Sequence, residues 1–311
     1  MSKRALDATA STFFPSATPS TTPSTTIVST VTVDYMSNGW GWGSIVHLPL
    51  TGGFATGHGW PGPFLIHVWT TEGVLEATLE GHTGTVYALA ARGCGGLVSV
   101  SYDRTVRVWS WDNERTACVA VLEGHTKVVF TVAVHPSNDN IVVTGSADHT
   151  ARVWDVASAT CTAVLEGHTD WVRAVAFLSD GSIVSGSYDN TVRVWSLDGA
   201  CKSVLQHPYL VVCLTVLPDD TFIVGGDGFV RKWAGDVEQW STPTSDDVRS
   251  VTPEAYLMFS GQVVFFDAVD GRETGTFEPA SRMAGMPGGK VMVYDGDKQV
   301  SVVRVHRVRG V

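Results

Sequence analysis

The sequence predicts an all-β chain assembled from a repeated unit, and three observations carry that prediction. The first is a stretch that recurs. LEGHTGTVYALAARGCGGLVSVSYDRTVRVW begins at Leu79, LEGHTKVVFTVAVHPSNDNIVVTGSADHTARVW at Leu122 and LEGHTDWVRAVAFLSDGSIVSGSYDNTVRVW at Leu165. The second is its period. Gly81, Gly124 and Gly167, each followed by His, stand 43 residues apart, and the closing Trp109, Trp154 and Trp195 are spaced by 45 and 41. A period of about 40–45 residues marks an architecture in which one supersecondary unit stacks on the next. The third is texture. There are 32 glycines, and alternating β-branched runs such as TIVSTVTVDYM from Thr26 suit short strands joined by tight turns.

Four residues keep a fixed relation inside each unit: His82, Ser99, Asp103 and Trp109, then His125, Thr144, Asp148 and Trp154, then His168, Ser185, Asp189 and Trp195. Asp precedes Trp by six and follows the hydroxyl residue by four every time, while the His-to-Asp interval flexes (21, 23, 21), as a variable loop between strands would make it. With Gly-His at one end of each unit and Trp at the other, the chain resembles the WD40-repeat family. The resemblance implies that each unit is one four-stranded propeller blade. It also implies a buried chain from Trp indole to hydroxyl, hydroxyl to imidazole and imidazole to carboxylate. Each such bond is worth about 1 kcal/mol net, while a buried member left unpaired costs about 1–3 kcal/mol, so the four should act as a unit. A hydrolase triad is the competing reading. It requires one exposed hydroxyl beside an oxyanion hole, and three copies at blade period, each with its own Trp, argue for structural fasteners.

Bulk composition narrows the classes. At 311 residues the chain has the length a seven-bladed propeller needs, and 44% hydrophobic residues supply a core. A net charge of −10 excludes a broad phosphate-binding surface and with it nucleic acid as a partner. No run of 18 apolar residues and no apolar region behind Lys3 and Arg4 predict neither a membrane span nor a secretory signal. Of the five cysteines, Cys118, Cys161 and Cys201 align in TACVAVLEGH, ATCTAVLEGH and GACKSVLQH, so repetition explains them better than pairing or metal binding. Without a CxxC, a reduced intracellular location, cytoplasmic or nuclear, is expected. No cofactor or metal is expected. The spacings of His47, His58 and His67 fit no compact zinc site, and no GxSxG, HExxH or phosphate loop occurs.

Taken in order, residues 1–25 are rich in Ser, Thr and Pro and are expected to be a disordered tail, leaving 26–311 as the propeller. Residues 26–34 read as a strand. SIVHLPL, GFATGH, PFLIHVWT and VLEATLE form the first blade, with Trp69 at the tryptophan position but Pro63 where the Asp belongs, so this blade is expected to lack its fastener. Blades two to four are the regular copies. Blade five keeps His207, Asp227 and Trp233 but has Ile223 where the hydroxyl belongs. DVRSVTP, AYLMFSG, QVVFFDAVDG and ETGTFE read as a sixth blade, with Phe265 or Phe266 in the tryptophan role. RMAGMPG, KVMVYDG and QVSVVRVHRV supply three strands of a seventh. The seventh lacks an outer strand and residues 26–34 are left over; the family resemblance implies that the N-terminal strand closes the ring, which removes an exposed edge.

Function is expected on the rim, because blade bodies pack on one another. In the family, the residues at the start of each first strand and before each tetrad Asp face the top. Here these are Tyr87, Tyr102, Phe130, Ala147, Trp171, Arg173 and Tyr188, a composition enriched in interface hot spots. The expected function is a non-enzymatic scaffold or adaptor that presents this face to proteins or peptides, as a monomeric propeller within a larger complex. Residues 170–195 and 213–233 also resemble the propeller of phospholipase A2-activating proteins, which implies a ubiquitin-linked partner. Two alternatives stay open: an enzyme with its site at the channel mouth, and a purely structural, degenerate repeat protein.

Overall fold

Each repeat alternates β-branched residues with small ones and breaks at Asp-Gly, Asn or Gly-Gly, a pattern that makes short strands and tight turns. The computed structural model describes residues 24–32, 44–59, 62–111, 116–252, 255–258, 263–266, 269–277, 282–286, 290–294 and 299–306. Among them every regular element is a strand, and the strands form seven four-stranded antiparallel sheets. Sheets one to six use residues 44–79, 86–122, 129–165, 172–206, 211–243 and 248–277, with strands ordered in space as in the chain. In the seventh the order is Ser24–Thr32, Gln299–His306, Lys290–Tyr294, Arg282–Met286. No helix among the described residues is long and apolar enough to cross a membrane.

First strands pack side by side from sheet to sheet: Ser44–His47 on Val86–Ala91, then Val129–His135, Val172–Phe177, Val211–Val216 and Val248–Val251. Arg282–Met286 in turn contacts both Val248–Val251 and Ser44–His47. The core lies between sheets rather than within them. Trp109 packs on Ala55, Ile66 and Val68 of sheet one, and Trp154 on Val98, Val100, Val106 and Val108 of sheet two. Trp195 packs on Val143 and Val153 of sheet three, and Trp233 on Val184 and Val192 of sheet four. Truncating a fully buried side chain of this size costs about 3–5 kcal/mol, so each tryptophan bolts its sheet to the one before. The repeated stretch is offset from the sheets by one strand. Residues 122–154 leave the last strand of sheet two and then form three strands of sheet three.

Three expectations are refined. The strand that pairs with Gln299–His306 starts at Ser24, where Ser24 faces His306 and Thr25 faces Val305, so it begins two residues earlier than expected. Residues 1–23 of the expected tail and 33–34 of the expected strand lie outside the described residues. In sheet six, every counterpart places a bulge immediately before the tryptophan (between Val108 and Trp109, Val153 and Trp154, Val194 and Trp195). There the bulge falls between Phe265 and Phe266, so the register gives Phe266 the tryptophan's position.

Candidate interaction surface and the fastened repeats

The four-residue sets assemble as the resemblance implied. In sheet two the Trp109 indole N–H donates to Ser99 Oγ at 2.7 Å. Ser99 Oγ also meets His82 Nε2 at 2.7 Å, and His82 Nδ1 meets Asp103 Oδ2 at 2.7 Å. With a carboxylate accepting at Nδ1, that nitrogen carries the proton, so the serine hydroxyl donates to Nε2. Asp103 accepts further bonds from the Thr83 amide and from the Thr105 amide and hydroxyl. Sheets three and four repeat the pattern at 2.7–2.8 Å through His125–Asp148, His125–Thr144 and Trp154–Thr144, and through His168–Asp189, His168–Ser185 and Trp195–Ser185. Burial works to raise the three carboxyls, yet the bonds from imidazole, threonine and amide outweigh it and hold all three well below the ordinary carboxylate range.

An Asp–His–Ser line at these distances looks like a nucleophilic triad. Ser99 and Ser185 are nonetheless fully buried, and each oxygen already accepts an indole N–H. No open face remains for a substrate, so the sets fasten rather than react. Each one ties the loop entering a sheet to that sheet's second and third strands.

The Gly-His glycines have their own reason. Gly81, Gly124 and Gly167 adopt φ of +152°, +151° and +147°, and a Cβ there would lie 2.7–2.9 Å from an Nη1 of Arg107, Arg152 or Arg193. Those arginines run against the tryptophans, with Cζ of Arg107 and Arg193 at 6.0 and 5.8 Å from the rings of Trp109 and Trp195. Their Nη1 atoms reach Cys118, Cys161 and Cys201 Sγ at 3.8–4.0 Å. The recurring cysteines are therefore the arginines' neighbours on the fourth strand.

Departures from the repeat are equally physical. Blade one lacks the Asp, as expected, but keeps half a fastener: Trp69 Nε1 donates to Thr56 Oγ1 at 2.9 Å. His67 meets Trp69 and His58 edge-on, with centroids 5.6 and 4.5 Å apart. Burial, and next the neighbouring His67, push His58 down to about 4, so it is neutral. In blade five the expectation for Ile223 is corrected. Trp233 pairs with Phe222 as Trp195 pairs with Ile183, so the hydroxyl's register belongs to Val224, which packs beside Trp233, while Ile223 faces sheet six. Asp227 does not join His207. The turn joining the second and third strands is one residue shorter than in blade four, since Gly225 pairs with Val230 where Gly186 pairs with Val192. His207 Nδ1 donates instead to the Tyr209 carbonyl, and His207 Nε2 and Trp233 Nε1 are both buried without a hydrogen-bond partner.

The expected top-face residues meet at one end of sheets two to four. The loop entering each sheet is bonded there to the turn between its second and third strands, through Tyr102 N to Thr85 O, Ala147 N to Val128 O and Tyr188 N to Trp171 O. Tyr87, Phe130 and Arg173 are each the extra residue of a bulge at the second position of a first strand. A bulge re-aims its side chain, and here the three turn toward one another. Tyr87 meets Phe130 edge-on at 5.3 Å, Phe130 meets Trp171 at 5.4 Å, and Trp171 stacks on Tyr188 at 5.6 Å. Arg173 Cζ lies 4.3 Å from the Phe130 centroid and 5.7 Å from that of Tyr188. Trp171 is 41% exposed. Tyr102, 60% exposed, makes no ring contact with the other four among the described residues. Ala147 departs from the expectation. At 4% exposure its methyl adds almost no surface to the face.

Sequence reasoning missed Val212 and Arg249, the bulge residues of sheets five and six. Val212 was open to counting, since it follows His207 by five as Tyr87 follows His82, Phe130 follows His125 and Arg173 follows His168. Sheet six has no such His, so Arg249 had no marker. Tyr209 and Phe229, stacked at 5.4 Å with Arg231 against Phe229, form a separate aromatic pair on sheet five.

A sequence-family model described as "WD domain, G-beta repeat" matches residues 73–110, 116–155, 159–196 and 199–234. No curated protein matches the chain. Each match spans the last strand of one sheet and three strands of the next, the same offset the fasteners bridge. Sequence match and complete hydrogen-bonded set thus coincide in three of the four matched repeats, and the chain belongs to the WD40-repeat family of protein-interaction domains.

Proposed function

We propose that the chain is a non-enzymatic adaptor: a seven-bladed propeller, closed by the strand at 24–32, that docks other proteins or peptides on the end of sheets two to four. The observation that carries this is the unbroken line Tyr87–Phe130–Trp171–Tyr188 with Arg173 laid over it. Aromatic rings bring large contact area with few rotors to freeze, and Trp, Tyr and Arg are the residues most often found as interface hot spots. Contacts of Arg282–Met286 with both neighbouring sheets support the closed ring. Against an enzyme stands the saturation of all three His–Asp–hydroxyl lines by their tryptophans. Five free cysteines fit a reduced, intracellular setting.

The test is affinity capture from the native cell with wild type and a Trp171→Ala/Arg173→Ala variant, followed by reconstitution with the purified partner. A partner bound directly by wild type and lost in a variant of unchanged melting temperature supports the adaptor, and ubiquitin or a ubiquitin-system protein among such partners supports that assignment. Binding that ignores both substitutions sinks this face as the site.

A further inference from the structure

Resting on the reading of this end as a docking face, the geometry points to the chemistry of its partner: we infer an acidic peptide whose glutamate or aspartate carboxylate pairs with Arg173. Among the described residues no hydrogen bond or ion pair reaches the Arg173 guanidinium, and its Nε is buried without a partner. Stacking on Phe130 and Tyr188 holds the guanidinium plane in place. A pre-set fork loses less freedom when a carboxylate arrives, and it binds one bidentately.

The charges around it agree. The loop entering sheet three carries exposed Lys127, and the turn of sheet two carries exposed Arg104. Asp103, Asp148 and Asp189 are turned onto their histidines and Asp170 onto the Trp171 amide at 2.7 Å, so none of these four pairs with Arg173. An apolar side chain next to the carboxylate would cover the exposed ring of Trp171. One stacked guanidinium matches one carboxylate, whereas a phosphoryl dianion is better met by several arginines on one site.

The test starts with selection of a phage-displayed random nonapeptide library on the full chain, as wild type, Trp171→Ala, Arg173→Gln and Arg173→Lys. Calorimetry of the wild-type consensus peptide against each follows. Wild type should enrich Asp or Glu beside an aromatic or aliphatic residue. Arg173→Gln should weaken the consensus peptide by about ten- to a hundredfold, the range for a lost charged hydrogen bond. Arg173→Lys should fall between, and raising salt from about 50 to 500 mM should weaken wild type alone, because salt screens the pair. A consensus without acidic residues, or an affinity indifferent to Arg173→Gln, overturns the inference while leaving the docking face intact. Selection that yields no Trp171-dependent peptide refutes the docking face itself. A phosphoserine in place of the acidic residue that binds tenfold tighter overturns the carboxylate in favour of a phosphopeptide.

Discussion

Val224→Thr should stabilise this protein, although valine-to-threonine changes in a core usually do the opposite. Val224 is fully buried and occupies the register that Ser99, Thr144 and Ser185 hold in the preceding blades. It follows His207 by seventeen residues, the same interval as His82 to Ser99 and His168 to Ser185. His207 gives its Nδ1 proton to the Tyr209 carbonyl at 2.9 Å, so Nε2 is a waiting acceptor, and Trp233 Nε1–H is a waiting donor. One threonine oxygen can serve both, as Thr144 does for Trp154 and His125 at 2.8 Å each. Two buried orphans cost about 1–3 kcal/mol apiece. Subtracting about 1 kcal/mol for the lost methyl and the hydroxyl's own desolvation leaves a gain of roughly 1–2 kcal/mol. Calorimetry should show melting raised by about 2–6 °C. Val142→Thr, fully buried beside Trp154, whose indole Thr144 already accepts, should lower it. If Val224→Thr melts no higher than wild type, the assignment of the missing hydroxyl is wrong.

Other outcomes follow from the same geometry. Asp189→Ala strips acceptors from His168 Nδ1 and from the Thr169 and Thr191 amides. It should cost about 2–4 kcal/mol by urea denaturation, and an unchanged midpoint would contradict the fastener. Gly124→Ala keeps a φ of +151° and drives a Cβ to 2.9 Å from Arg152 Nη1; a loss of about 1–3 kcal/mol is expected, and a neutral result would show that the arginine is not fixed against the glycine. His58 has a folded pKa of about 4 against about 6.5 unfolded. The unfolded chain therefore takes up the proton first as pH falls from 6.5 to 4, and across that window stability should drop by up to about 3 kcal/mol. His58→Leu should flatten this limb of a stability–pH curve. Below about pH 4 a second loss is due, because the depressed carboxyls of Asp103, Asp148 and Asp189 must then be protonated on unfolding.

The fasteners were legible because their spacing is set by strand length and one turn, which leave no slack. Where a turn changed length, legibility failed in proportion. Counting back ten from Trp233 lands on Ile223, whereas counting forward seventeen from His207 lands on Val224; only the forward path avoids the shortened Asp227-Gly228 turn. The bond between Thr56 and Trp69 was hidden because the missing Asp suggested a wholly absent set. Phe265 and Phe266 are indistinguishable by hydrophobicity, and a bulge in the backbone separates them. Residues of the candidate face could be listed from the sequence, but their contact could not. Bulges at Tyr87, Phe130 and Arg173 aim three side chains inward, and no local pattern announces a bulge.

The antiparallel pairing of Ser24–Thr32 with Gln299–His306 has a mechanical consequence. Because Ser24 sits opposite His306, the first and last described residues lie side by side. A load borne between those two points meets the ladder end-on and opens it like a zip, one pair at a time toward Thr32 and Gln299, instead of shearing all its bonds together. Forced opening is governed by the barrier to that first step rather than by overall stability. Under tension this pairing would yield first, with the tryptophan-bolted sheets still folded.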